Sequence, residues 1–302
     1  MLSSALGALT DRVDSKFLAA FWLPAFVAVL GSLGLLGAVV GKEQMADWVY
    51  GFDSVEQSWV VLILLLVTTM LAFVLRALTG PITELFAGDI LPKFVAEWAI
   101  QGQLAVKHAT AQMLGVDPVD AASLSSASQA DLTMARHFPI EDEATKPTRF
   151  GNVLAAAADH PRQAFARDSR LWWPRLTPLL PADFQGMLAG ALAPMIALLN
   201  LSVVFVALAL AAVVVLGLFG ALWIAAVVWL VAGLLLAWLS YRAAVSQAME
   251  LGSMLRVAFD LYRHEILRQW NLEPPGDLPA ERALWLQLTN DLLGLPAKEP
   301  AP

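Results

Sequence analysis

Apolar and polar positions alternate along this chain in long blocks. Between Asp183 and Arg242 lie 58 residues without Asp, Glu, Lys or Arg, with Gly217 and Gly220 near the middle. At 1.5 Å rise per residue and about 20 residues per bilayer crossing, this block predicts two membrane-spanning helices joined by a tight turn. Uncharged blocks at Phe17 to Val40 and at Ser58 to Leu78, the latter with Arg76 near its end, predict two more spans. The expected fold is all-α: four transmembrane helices in two hairpins, with a helical cytoplasmic domain.

The order of blocks divides the chain into a lead-in (1–16), a first transmembrane hairpin (17–78), a helical insert (79–190), a second hairpin (191–240) and an extended helix with a C-terminal helix (241–302). The insert and the extended helix together form the expected cytoplasmic domain. Gly31, Gly34 and Gly37 in span one offer a surface for close helix packing. The loop from Gly41 to Gln57 is acidic, with Trp48 and Trp59 at its edges, whereas Arg12, Lys16, Arg76, Arg175 and Arg242 all fall at the opposite ends of the spans. The positive-inside rule then puts both termini and the insert in the cytoplasm. Asp11 and Asp14 before span one, and its length, argue for a permanent span rather than a cleaved signal.

Within the insert, Leu85, Phe86, Ile90, Phe94, Trp98, Leu104 and Met113 approximate one helical face interrupted at Pro92. Residues 117 to 145, rich in Ser, Ala and Asp, read as the most mobile stretch. The densest motif follows, Lys146 to Asn152 reading KPTRFGN, then a short helix from Val153 to Asp159. Thr148, Arg149 and Asn152 are candidates for holding an anion or lipid headgroup at a helix N-terminus, or else for capping that helix and stitching its loop. In DSRLWWPRLTP, Asp168 to Pro178, Trp172, Trp173 and Arg175 suit a segment at headgroup level, Arg175 toward phosphate; the alternative packs both tryptophans in the cytoplasmic core.

Beyond span four, Tyr241, Val245, Ala248, Gly252, Leu255, Phe259, Tyr262 and Ile266 recur at steps of four and three. This heptad seam predicts one unbroken helix leaving the membrane, packed on the chain's own insert or on the same helix of a second copy. Pro274, Pro275 and Gly276 end it. Asp277 then caps a last helix through Asn290, with Leu284, Trp285 and Leu288 on one face.

Composition narrows the chemistry. With 58% hydrophobic residues, 15% charged residues and a mean hydropathy of +0.64, the chain is too apolar for an ordinary soluble domain of 302 residues. A net charge of -7 argues against a nucleic-acid or polybasic lipid-binding surface; the expected partners are membrane lipid, a second copy, or another membrane or cytoplasmic protein. There is no cysteine, and His108, His137, His160 and His264 show no metal-ligand spacing. His264 follows Asp260 by one helical turn, the spacing of an ordinary ion pair. No phosphate-binding glycine loop or nucleophile elbow is present, so no cofactor and no catalytic residue are expected. The spans carry no ionisable residue deeper than Arg76, and Thr68, Thr69 and Asn200 are the hydrophilic groups on which transport would have to rely.

Pro147 to Asn152, Trp173 to Leu176, Phe259 to Arg263, and Glu281 with Trp285 carry a likeness. From Lys146 onward the chain resembles a family of uncharacterised bacterial multi-span membrane proteins with PTRxGN, WPRL and FDLYR-like motifs. It departs at Ala158, and at Phe165 with Ala166, where the resemblance implies an acidic residue and a Tyr-Gly pair. The resemblance implies membrane location and no activity. The expectation is a bacterial inner-membrane protein acting as a non-enzymatic interaction or signalling module; a homo-oligomeric pore is the alternative, and a membrane-bound hydrolase the least supported.

Overall fold

The computed structural model describes residues 15–41, 43–44, 51, 53–114, 129–165, 169–218 and 223–294. The lead-in before residue 15, Asp47 and Trp48, residues 115–128 of the Ser/Ala/Asp-rich stretch, Ala166, Gly220, the start of span four and the tail from Pro296 lie outside the described residues. Those described fold into helices, with no strand among them. In chain order these are α1 (Ser15–Val40), α2 (Ser54–Ala77), α3 (Thr79–Ala87), α4 (Lys93–Leu114), α5 (Gln129–His137), α6 (Arg149–Phe165), α7 (Ser169–Leu176), α8 (Ala182–Leu218), α9 (Trp223–Gln269) and α10 (Leu278–Leu293). Four of them, α1, α2, α8 and α9, are long and apolar enough to cross a membrane. Their outward leucines, valines and phenylalanines, such as Leu62, Leu66, Phe73 and Leu234, are exposed, a surface suited to lipid and not to water. The chain is a membrane protein.

Contacts divide the chain into two compact units, one of Met1–Glu84 with Leu192–Gln247, the other of Leu85–Ala191 with Ala248–Pro302. In the first unit small residues set the helix spacing. A Cβ on Gly31 would collide with the Leu208 side chain, Gly34 faces Trp229, and Gly233 lies against Ala209 and the Phe205 carbonyl. Leu35, Ala212, Leu216 and Ala226 form a buried cluster in the same unit.

Two polar links cross this apolar packing. Residues Leu18–Trp22 of α1 adopt a π-helical turn just before Pro24. Proline has no N–H to give the carbonyl four residues back, so Ala20 is left with an unsatisfied oxygen. Asn200 of α8 supplies the missing donor, its Nδ2 lying 2.9 Å from that oxygen. Ser202 similarly donates to the Ala237 carbonyl at 3.1 Å. Thr68 and Thr69 bond back within α2, to Leu64 and Leu65.

The second span begins at Ser54, four residues earlier than the run of apolar residues implies. Asp53 accepts from the N–H groups of Val55 and Glu56, and the Glu56 side chain accepts from the Asp53 N–H. This reciprocal capping box turns two acidic residues of the loop into the helix start.

The second unit departs from the expected apolar face on α3 and α4. Helix α3 ends at Ala87, just before Gly88 at φ +87°, so Leu85 and Phe86 sit on a different helix from Phe94 and Trp98. Helix α4 instead turns Ala96, Ile100, Lys107 and Ala111 inward, and leaves Phe94, Trp98 and Met113 exposed. The helix expected at Val153 to Asp159 is α6, which starts at Arg149 and runs on to Phe165.

Candidate functional site

KPTRFGN is a knot that ties α3, α4 and α6 together. Thr148 is the residue before α6; its Oγ1 accepts from the Gly151 N–H at 2.9 Å and donates to the Phe86 carbonyl at 2.6 Å. One hydroxyl thus caps α6 and fastens it to α3. Gly151 permits the approach, because a Cβ there would run into the Ala87 carbonyl oxygen. Asn152 is fully buried and reads the Lys146 backbone in both directions: its Oδ1 accepts the Lys146 N–H at 2.7 Å and its Nδ2 donates to the Lys146 carbonyl at 3.1 Å. The same Nδ2 lies 3.2 Å from Gln103 Oε1 on α4. Lys146 closes the knot with an ion pair to Asp89 at 2.6 Å.

The candidate anion contacts therefore do not converge. Thr148 and Asn152 have their polar atoms engaged inside the chain, because the close α3–α6 contact leaves backbone groups that only side chains can satisfy. Arg149 is exposed, with no hydrogen bond or ion pair among the described residues. Arg175, on α7, is also exposed and donates to the Leu171 carbonyl one turn back at 2.6 Å.

What the knot does build is a cleft of about 760 Å³. Gly88, Asp89, Lys146 and Pro147 form one side; Lys93, Ala96 and Ile100 of α4 and Gly151, Leu154, Ala155 and Ala158 of α6 form the walls; Asp159 and Arg162 lie at the far end of α6. Small and aliphatic residues share this lining with six charged ones, Asp89, Lys93, Glu143, Lys146, Asp159 and Arg162. Two polar atoms in this lining lack a partner among the described residues: the hydroxyl of Thr145, a residue only 4% exposed, and Asp159 Oδ2. Asp159 Oδ1 lies 3.2 Å from Arg162, but Arg162 also serves Glu141 at 2.8 Å. Burial raises the Asp159 carboxyl above its ordinary value, opposed by the Arg162 charge and reinforced by Glu141. Beside it, the buried Lys107 ammonium donates to the Ile140 carbonyl at 2.8 Å and to Asp142 at 2.6 Å. That hydrogen bond is the main reason the Asp142 carboxyl is held below its ordinary value.

Away from the cleft the unit is filled. Trp172 is fully buried and meets Trp285 edge-on at 4.8 Å and Trp270 at 5.7 Å between ring centroids. Its indole N–H lies 3.1 Å from Thr289 Oγ1, so both its body and its polar tip are satisfied internally. The headgroup placement expected for Trp172 is thus corrected: WWPR lies in the helix α7, which points this ring into the core. Trp173 is half-buried against Phe259. At the base of the cluster the buried Glu281 carboxylate accepts from Arg263 Nε at 2.9 Å and from Trp285 Nε1 at 3.1 Å, with His264 Nε2 at 3.3 Å and outside hydrogen-bond geometry. Burial pushes this carboxyl up, but the hydrogen bonds from Arg263 and Trp285 and the charges of Arg263 and His264 together hold it below its ordinary value.

Every seam residue is buried or half-buried within the chain: Tyr241, Val245, Ala248, Gly252, Leu255, Phe259, Tyr262 and Ile266. Gly252 faces Ala157 of α6, Phe259 packs on Trp173 and Tyr262 meets Phe184 edge-on at 5.4 Å. Asp260 pairs with His160 of α6 at 2.9 Å rather than with His264 one turn on, and neither Asp260 nor His264 lines the cleft. Searches against family models, curated proteins and solved structures find no match to this chain.

Sequence reasoning missed the cleft because its walls come from residues that look inert in one dimension, Ala96, Ala155 and Ala158 among them.

Proposed function

We propose that this chain is a bacterial inner-membrane protein whose four spans form two hairpins, with both termini and the second unit in the cytoplasm, and that it acts as a non-enzymatic interaction or signalling module recognising a partner or small ligand in the cleft beside KPTRFGN. The cleft carries the reading. It joins an aliphatic wall to unpartnered polar atoms, the composition of a binding pocket, and the residues of the neighbouring motif are engaged in holding its shape rather than poised over it. The orientation is supported by Lys16, Arg76 and Arg242 at one set of span ends and by Glu43, Asp53 and Glu56 at the other. The likeness to the bacterial multi-span family belongs to the same reading.

Two measurements test it. Single cysteines at Arg149 and Gly51, in a chain with no cysteine of its own, should react with a membrane-impermeant maleimide on intact cells at Gly51 and not at Arg149. The reverse pattern overturns the topology. A photocrosslinking amino acid at Ala158 should then capture in living cells a species that the same group at exposed Ala283 does not. Identical products at both positions remove the cleft as a recognition site.

A further inference from the structure

Helix α4 carries its largest apolar side chains on its outer face. Phe94 and Trp98, one turn apart, are 75% and 79% exposed, while Ala96, Ile100, Lys107 and Ala111 make up the inward face. Further along the outer face come Gln101, Ala105 and His108, and Val106 and Met113 are exposed on the far half of the helix, so it is the aromatic side chains that gather at the end nearer α2 in the chain. On the way from α2, Leu78, Leu85 and Ile90 are exposed too. A water-facing helix gains nothing from such a run, and single exposed hydrophobics are normal where clusters of this size are not.

The chemistry and the tether both name the occupant. Tryptophan and phenylalanine are side chains that settle at the membrane–water boundary on the apolar face of helices lying in its plane. Only 15 residues, Leu78 to Pro92, separate α2 from α4, and nine of these form α3. Nine helical residues span about 13 Å, so the chain leaves the bilayer and reaches Phe94 over a short path. We infer that the Phe94–Trp98 face of α4 rests in the lipid headgroup layer and anchors the second unit to the membrane surface; this rests on α2 being a membrane span.

Spin labels on single cysteines test the anchor in the full chain, reconstituted in mixed phosphatidylethanolamine–phosphatidylglycerol vesicles. Phe94→Cys and Trp98→Cys are read one at a time, so that one aromatic remains in each, with Leu62→Cys in α2 as the lipid reference and Ala283→Cys in α10 as the water reference. All four positions are exposed, so folding, checked by circular dichroism, is expected to survive. The labels at 94 and 98 should lose relaxation by a water-soluble nickel chelate relative to Ala283→Cys while remaining open to oxygen. Relaxation by nickel equal to that at Ala283→Cys overturns the anchor. Shielding from both nickel and oxygen also overturns it, because a protein surface then covers the face. Nickel access at Leu62→Cys instead shows that the span assignment of α2 has failed.

Discussion

Glu281 and Asp159 belong to the same unit and both sit largely out of water, with side chains 4% and 14% exposed. Glu281 is met by Arg263, His264 and the Trp285 indole, all directed at one oxygen. Asp159 shares a single arginine with Glu141 and keeps Oδ2 without a partner among the described residues. One carboxyl is held below its ordinary value and the other above it. The contrast separates a region closed by its own side chains from one left open: around Glu281 tryptophans fill the space, and around Asp159 there is a cleft. Shielding alone does not fix the state of a carboxylate; the donors built around it do.

Four substitutions test that contrast. Trp285→Ala should cost about 3–5 kcal/mol, since it removes a fully buried ring together with the donor it offers Glu281; thermal unfolding followed by tryptophan fluorescence in detergent measures it, and near-wild-type melting would mean that the cluster is not a closed core. Glu281→Gln should cost about 2–3 kcal/mol at neutral pH by removing the negative charge that accepts from Arg263 and the Trp285 indole. Because the folded carboxyl is held low, its stabilisation is complete above the ordinary value near 4.5 and fades as pH falls through the folded value, so wild type and variant should converge in acid.

Gly252→Leu should cost about 1–3 kcal/mol, because a Cβ at this position already stands 3.1 Å from that of Ala157. Unchanged melting would show that α9 can move away from α6. Asp159→Asn should have the smallest effect and the opposite sign, a gain of less than about 1 kcal/mol at neutral pH. Its folded carboxyl is raised, so the cost of ionising it is absent below the ordinary value near 3.8 and sets in as pH rises toward the folded value. A loss of stability at neutral pH would mean that Arg162 holds Asp159 as firmly as Arg263 holds Glu281.

The long uncharged blocks made the spans legible, because a bilayer demands many consecutive apolar residues and little else resembles that demand. The Asp277 cap and the inward Trp285 were equally readable, since both are local: Asp277 accepts from Ala280, and Trp285 stands one turn from Glu281. The capping box of Asp53 and Glu56 was present in the letters but hidden by an acidic loop that explained the same residues. Trp172 was not legible. A Trp-Trp-Pro-Arg stretch before a span satisfies the rule for interfacial aromatics, and only the arrival of α10, more than a hundred residues later in the chain, gives this ring a place to go. Phe94 and Trp98 show the converse, being spaced like core residues on a helix whose interior is formed by alanines, Ile100 and a lysine.

Pro24 carries a consequence for assembly. Two greasy rods side by side can slide past each other by a turn and keep nearly the same dispersion contacts, so oil alone sets their alignment weakly. The carbonyl that Pro24 leaves bare at Ala20 is a single notch on α1, and the Asn200 amide is the single tooth on α8 that fits it. Displacing either rod by one residue would strand both groups where no water can replace the lost partner, so one proline and one asparagine fix which rungs of the two helices stand level.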